Sequence, residues 1–268
     1  MKRLGIIIFF ALNTSLMGLA IDLDGGCETI TNSGVDINKA TIAYKPENTV
    51  FAFDLHKVLV STDFNELIKT ISQEFSSSDV WYMIRTKEIR RTLKSISKGK
   101  ITAEKALDDL AKKYPRMAKL KQPFLKLMNC QKINHGILDI VKQIKESGYR
   151  VYLLSNIGIQ TLKEFYKKHP ELEKLFDGFY VPSPENNYTK KPNPDFFCQF
   201  KDYLVKIGDK QKNIIFVDDD LKNIKTAKQH GFKALVFNSK RLLERDLKKL
   251  GINLKPLTKN LPSQLCHN

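Results

Sequence analysis

The chain has 268 residues, 42% of them hydrophobic, with 45 basic and 29 acidic side chains and a formal net charge of +16. That length and composition suit one core domain carrying an insertion, or two small domains, and exclude a disordered or fibrous chain. The charge excess points to anionic partners, but no zinc-ligand spacing, aromatic-interleaved basic stripe or ribonucleoprotein motif accompanies it, so no nucleic-acid partner is expected.

Lys2 and Arg3 precede an apolar run from Leu4 to Leu12, and a second short apolar stretch follows Asn13-Thr14-Ser15. Gly18 and Ala20 then place small residues before a break at Ala20/Ile21. This order is that of a secretory signal peptide over residues 1–20, and the run is short for a transmembrane helix. The expectation is an exported, periplasmic or secreted chain with no stable membrane insertion after processing. The alternative is a cytoplasmic chain, or one anchored by residues 4–20. Residues 21–48 are polar, carry Gly, Asn and Thr without period, and read as a leader. Cysteines stand at 27, 130, 198 and 266 with no CxxC. Export would permit disulfides, and spacing does not give their connectivity. Cys130 and Cys198 lie among apolar neighbours and read as small buried hydrophobes; Cys27 and Cys266 could clip the termini together.

From Thr49 the texture changes to short apolar runs separated by amphipathic segments. Val50-Phe51-Ala52-Phe53 ends at Asp54, Val151-Tyr152-Leu153-Leu154 at Ser155-Asn156, and Asn213-Ile214-Ile215-Phe216-Val217 at Asp218-Asp219-Asp220. Lys233 to Phe237 forms a fourth run and Phe179-Tyr180-Val181 a weaker one. Continuous apolar runs of this length suit strands buried on both faces of a parallel sheet. Between them, Ile137, Leu138, Ile140, Val141 and Ile144 form one helix face closed by Gly148, and Ile224 with Ala227 marks another closed by Gly231. The fold class is therefore α/β, a doubly wound parallel sheet, with polar residues gathered at the carboxyl ends of strands.

Residues 62–132 interrupt this alternation and read as helices only. Asp63 with Glu66 is a capping-box-like start. Val80, Ile84, Ile89, Leu93 and Ile96 mark one long helix ended by Gly99, and Thr102 opens another that stops near Pro115. With 16 basic and 8 acidic residues this insertion carries +8, half of the net charge. The expected organisation is a core of residues 49–61 and 133–250, a helical insertion over 62–132, and a tail from 251. Residues 239–249 form a basic amphipathic helix whose leucines 242, 243, 247 and 250 suit packing on the sheet better than a membrane surface.

Four motifs then occur in order. They are Phe53-Asp54-Leu55-His56-Lys57-Val58-Leu59, Leu154-Ser155-Asn156, Lys191-Pro192-Asn193-Pro194, and Phe216-Val217-Asp218-Asp219-Asp220 followed by Asn223. Each alone is weak; all four at strand or helix boundaries are specific. Across roughly residues 49–238 the chain resembles the haloacid dehalogenase-like hydrolases, with the insertion in the place of that family's helical C1-type cap. The resemblance implies a Rossmann-like core and a phosphohydrolase in which Asp54 attacks phosphorus in line, giving an aspartyl-phosphate that water hydrolyses. It implies Mg2+ held by Asp54, Asp219 and the His56 backbone carbonyl, with Asp218, Asp220 and Asn223 orienting waters behind them. Ser155 and Asn156 would bind phosphoryl oxygens and Lys191 would set a positive charge against them. Read from the residues alone, Asp219 can instead cap the helix opening near Asp220, and Ser155 can be an ordinary strand-end hydroxyl. Lys190 is the rival of Lys191.

One departure matters. Phosphatases of this family mostly carry a second aspartate two residues after the nucleophile as general acid and base, and this chain has His56 there. A histidine can move a proton near neutral pH, or it can be structural with only its backbone in use. Asp22-Leu23-Asp24-Gly25-Gly26 resembles the commoner two-aspartate motif, but its upstream run is signal-like and its use would leave the strand ending at Asp54 unexplained. In the insertion, Trp81, Tyr82, Arg85, Arg90 and Arg91 could touch substrate. Trp81 shares a helix face with Ile84 and reads as core, and Arg90 and Arg91 read as solvent-facing. The expected partner is a small phosphorylated metabolite. The competing readings are a metal-independent dehalogenase, which has no use for three consecutive carboxylates, and an exported non-catalytic binding or effector protein of the same fold.

Overall fold

The structure, a computed structural model, describes residues 44–97, 100–128, 130–209 and 212–254. The export signal, the leader up to residue 43 with Asp22, Asp24 and Cys27, Gly99, and the tail from residue 255 with Cys266 lie outside the described residues.

Among the described residues seven strands form: Thr49–Phe53 (β1), Val60–Thr62 (β2), Gln131–Ile133 (β3), Arg150–Leu154 (β4), Gly178–Tyr180 (β5), Asn213–Asp218 (β6) and Lys233–Val236 (β7). Five of them make a parallel sheet in the order β5-β4-β1-β6-β7, so the strand ending at Asp54 lies in the middle. β1 is buried at all five positions, which is why its run does not alternate in polarity. Its side chains still alternate in direction: Phe51 and Phe53 enter one apolar layer with Val151, Leu153, Ile215 and Val217, while Val50 and Ala52 enter the other with Tyr152, Leu154, Ile214 and Phe216.

Among the described residues the insertion supplies five helices, Phe64–Glu74 (α1), Ser77–Arg85 (α2), Lys87–Ser97 (α3), Ala103–Lys113 (α4) and Pro115–Met128 (α5). The core adds His135–Glu146 (α6), Ile159–Lys168 (α7), Pro170–Leu175 (α8), Pro194–Lys206 (α9), Leu221–Gln229 (α10) and Lys240–Lys249 (α11). α6, α7, α8 and α11 cover the first apolar layer; α9 and α10 cover the second. The sheet is thus wound on both sides. Leu243 and Leu247 of α11 are buried against it, as the apolar side of that helix required. Gly148, at φ 91, turns the chain out of α6, and the Tyr149 hydroxyl donates to the Tyr44 carbonyl at 2.8 Å, tying residue 44 to the core.

β2 and β3 pair antiparallel and form a stem that leads out to the helical insertion and back. The Asp63 N–H donates to the Cys130 carbonyl at 3.0 Å where the two chains part. The insertion has its own apolar core, including Leu67, Met83, Ile89, Leu107, Met117 and Leu127. Three expectations are corrected here. The long helix over residues 80–96 is two, α2 and α3, because Thr86 takes an extended conformation and caps α2 with both its N–H and its hydroxyl on the Tyr82 carbonyl. Trp81 is 50% exposed with the Arg85 guanidinium 5.0 Å from its ring, since Val80 and Met83 take the inward face of α2. Cys198 is exposed, while Cys130 is buried. The inward face of α9 is made by Phe196, Phe197, Phe200 and Leu204, and a residue two places from Phe196 and from Phe200 points the other way. Among the described residues, no helix is long and apolar enough to cross a membrane.

Candidate active site

The site is assembled at the carboxyl ends of β1, β4 and β6, where adjacent parallel strands deliver their next residues side by side. Asp54 follows β1 and its N–H donates to the Val217 carbonyl at 2.9 Å. Ser155 follows β4 and is fixed by an N–H bond to the Tyr180 carbonyl at 3.2 Å. Asp218 ends β6 and is completely buried. In the sequence these groups are up to 164 residues apart (54 to 218); the parallel register alone makes them neighbours.

Lys191 links them. Its side chain is 1% exposed, and its ammonium bonds the Asp218 Oδ2 at 2.6 Å, the Leu154 carbonyl at 2.8 Å and Asp54 Oδ1 at 2.9 Å. An ammonium has three hydrogens, and these three acceptors use them all. Burial works to lower the Lys191 pKa, but the carboxylates of Asp218 and Asp54 outweigh it and the pKa is raised, so the group is a permanent cation. Asn156 holds the backbone of this residue from both sides: Lys191 N–H donates to Asn156 Oδ1 at 2.8 Å and Asn156 Nδ2 donates to the Lys191 carbonyl at 3.0 Å. These two bonds position Lys191 and use one of the two Nδ2 hydrogens, so the carboxamide keeps a second donor. Ser155 is buried and its hydroxyl accepts from the Ile157 N–H at 3.4 Å. Lys190 is exposed.

The three consecutive aspartates divide into three environments. Asp218 Oδ1 accepts from the Asp220 N–H at 2.8 Å, and Asn223 Nδ2 reaches both Asp218 oxygens at 3.1 and 3.0 Å. With Lys191 on Oδ2, Asp218 anchors the lysine more directly than it could orient a water. Asp219 is partly exposed and pairs with the Lys57 ammonium at 3.2 Å. Asp220 caps α10, its carboxylate accepting from the Lys222 N–H at 2.8 Å, so the capping role falls there and not on Asp219. Burial raises the pKa of Asp218 and of Asp219, the latter against the opposing pull of Lys57. His56 is half-buried; burial, then the Lys191 and Lys57 charges, lowers its pKa to about 4.

Lys57 had no role assigned from the sequence. It reaches Asp219 because its backbone adopts a left-handed φ of 61°, within a tight loop closed by its own N–H on the Val60 carbonyl at 2.6 Å. No residue spacing announces such a turn at a lysine.

The donor set fits a hard divalent cation. One oxygen each from Asp54, Asp218 and Asp219 lie within 4.8 Å of one another, three carboxylates against the two cations Lys191 and Lys57. Asn223 Oδ1 is buried without a protein hydrogen-bond partner, an acceptor left over beside that cluster. Carboxylate oxygens with a neutral amide behind them are the ligand chemistry of magnesium, not of a soft metal.

Comparison with known proteins bears on the fold and the family. The model of the haloacid dehalogenase-like hydrolases matches residues 19–231, a stretch that opens ahead of both aspartate motifs near the N-terminus. A sesquiterpene phosphatase of Aspergillus oryzae is 24% identical over 184 residues, covering 68% of this chain and 86% of that protein. A drimenol cyclase of Aspergillus calidoustus is 28% identical over 158 residues, which are 56% of this chain but 28% of the cyclase. Among solved structures, a HAD family enzyme of Bacteroides thetaiotaomicron superposes with a TM-score of 0.56 at 24% identity, covering 71% of this chain and 94% of that one. The same enzyme in complex with magnesium and inorganic phosphate gives 0.53 at 23% identity, covering 71% and 94%. A predicted HAD-like hydrolase of Porphyromonas gingivalis gives 0.51 at 22%, covering 75% and 98%. Identities this low in solved structures speak for the fold, while the family match spans most of the chain and includes the strands that lead to Asp54, Ser155 and Asp218 and the loop that carries Lys191: the chain belongs to the haloacid dehalogenase-like hydrolase family.

Proposed function

We propose that this hydrolase is a magnesium-dependent phosphomonoesterase that acts on a small phosphorylated metabolite through an aspartyl-phosphate at Asp54. One observation carries the reading: a carboxylate with limited exposure, an adjacent carboxylate cluster and a buried lysine cation meet at one sheet edge. Magnesium at Asp54, Asp219 and the His56 carbonyl would supply the neutralisation that lets a carboxylate approach a phosphate dianion. The remaining steps belong to the chain. Lys191, bonded to Asp54 Oδ1, leaves Oδ2 to attack phosphorus, while its charge stabilises the phosphoryl oxygens at short range. Ser155 donates its hydroxyl hydrogen to one of those oxygens. The P–O bond to the leaving group breaks as the Asp54–P bond forms, the departing oxygen taking a proton from a water molecule to leave as the alcohol; a further water then attacks phosphorus, releasing phosphate and restoring Asp54. His56, two residues on in the same loop and kept neutral at pH 7 by a pKa lowered to about 4, would serve as a weak acceptor for the proton of that water. The helical insertion stands on the β2–β3 stem as a cap over this edge and excludes bulk water when closed. The sesquiterpene phosphatase of Aspergillus oryzae and the magnesium and phosphate complex of the Bacteroides thetaiotaomicron enzyme support the phosphatase over the dehalogenase reading.

The test is phosphate release from a panel of phosphoesters by the mature chain, with magnesium and then with EDTA. Release should stop in EDTA and return with added magnesium, and Asp54→Asn should lower kcat by at least about a thousandfold. Metal-independent halide release would favour the dehalogenase. Silence on every ester, with no beryllofluoride adduct at Asp54, would leave a non-catalytic binding protein.

A further inference from the structure

Two ammonium groups meet the carboxylate cluster, and they are held in opposite ways. Lys191 is 1% exposed and its three hydrogens are all taken, by Asp54, Asp218 and the Leu154 carbonyl. The Lys57 side chain is 48% exposed and reaches Asp219, itself 23% exposed, at 3.2 Å. Ion pairs so open to water are weak. The backbone beneath Lys57, by contrast, is fixed. His56 bridges to Val60, the Lys57 N–H donates to the Val60 carbonyl at 2.6 Å, and the Leu59 and Val60 N–H groups both reach the Leu55 carbonyl at 2.9 Å. Residue 57 stands in this loop at φ 61°, a conformation that glycine takes without steric cost and that a lysine keeps only because its surroundings impose it. The turn itself has no need of a lysine. What the lysine adds is an ammonium on a flexible four-carbon stem, rooted two residues from Asp54's neighbour Leu55 and delivered to Asp219. His56 feels the same charge: after burial, the Lys191 and Lys57 ammoniums lower its pKa.

Asp219 is also one of the three carboxylates whose oxygens lie within 4.8 Å of one another, so Lys57 and a divalent ion call on the same group. Three carboxylates against two ammoniums leave one negative charge to attract that ion; without Lys57 they would leave two. We infer that Lys57 is an exchangeable counter-ion: it yields Asp219 to magnesium and passes its charge to the phosphoryl group of the ligand, so that metal and phosphate binding are coupled through this one side chain. The inference rests on the magnesium and phosphate reading of the same site. Lys57 weakens the first step, as a competitor for Asp219, and strengthens the second, as a donor to phosphate oxygens. Lys191 cannot take this part, because every hydrogen of its ammonium is already committed to a buried acceptor. By linkage the coupling is reciprocal: whatever phosphate gains from bound magnesium, magnesium gains from bound phosphate.

The experiment uses the full chain at constant ionic strength and reads binding, not turnover. Isothermal titration with magnesium chloride should show Lys57→Met binding the metal about tenfold more tightly than the wild type. Inorganic phosphate, titrated into the magnesium-loaded chain, should bind Lys57→Met about tenfold more weakly. Lys225→Met removes an exposed cation from α10, six residues after Asp219, and should change either constant by less than about twofold. The exchange itself is read in the wild type by acetylating lysines with a limiting amount of reagent and measuring Lys57 relative to Lys225 by mass spectrometry. Labelling of Lys57 should rise about threefold on saturation with magnesium and fall again when phosphate is added. Equal magnesium affinity in the wild type and Lys57→Met, or labelling indifferent to magnesium, would overturn the exchange while leaving the metal site and the phosphatase reading in place. An equal gain in Lys225→Met would assign the effect to the general field and overturn it too. Labelling that rises with magnesium but ignores phosphate would overturn the transfer to the ligand. No magnesium binding by any of the three proteins would remove the magnesium reading and this inference together.

Discussion

Lys191 is the residue on which the site's electrostatics turn. Its ammonium has no contact with water to fall back on, and the two carboxylates it holds are themselves almost without exposure. Removing one partner of a buried ion pair leaves the other charges uncompensated, which costs about 3–5 kcal/mol. Lys191→Met should therefore lower the stability of the chain by about that much in urea unfolding, and Lys191→Met combined with Asp218→Asn should cost less than the sum of the two single changes. Additive losses would mean that the pair does not act as a unit. At this scale the sequence was informative about identity and silent about connection. The family resemblance put Lys191 in the third motif with Lys190 as its rival, whereas the clamp by Asn156 and the three-way use of the ammonium required strands β4 and β6 to be laid beside β1. Lys57 shows the opposite case, an ion pair with Asp219 made by backbone conformation that no residue pattern encodes.

At the scale of elements, caps were legible because they are local. Asp63 and Thr102 each accept from the N–H three residues on, at 3.1 and 3.2 Å, as their position before an apolar-periodic stretch required. Thr102→Ala should cost about 1 kcal/mol of stability, measured by chemical denaturation of the full chain, with magnesium affinity unchanged because α4 belongs to the separate apolar core of the insertion. An equal loss of metal affinity would show the two units to be coupled. Breaks were less legible. The apolar spacing from Val80 to Ile96 continues through Thr86 without interruption, yet the helix stops there because the threonine satisfies the Tyr82 carbonyl itself. β2 and β3, at three residues each, are too short to display any period; their pairing is a consequence of the insertion's two ends having to meet.

For the whole molecule, charge is the dominant feature. The insertion carries +8 of the net +16, and the acidic cluster lies at the edge of the core beneath its stem. One direct link between the two parts is Lys100, whose ammonium lies 5.2 Å from the ring centre of Tyr188, three residues before Lys191. A basic unit beside a phosphate site raises the encounter rate with dianionic esters, an effect that salt screens over about 8–10 Å. Between low and physiological ionic strength kcat/KM for an anionic ester should fall by about threefold or more with kcat little changed; a flat response would assign the basic surface to solubility alone.

The order of short apolar runs, the residues that end them and the interruption after the first are all local or periodic properties, and they were sufficient to determine by sequence alone an α/β core, a helical insertion and the four chemistry-bearing motifs. Only the tertiary structure decided which carboxylate holds the lysine, which caps a helix and which remains available, because those roles depend on the register between parallel strands and on side-chain directions that distant segments impose on one another.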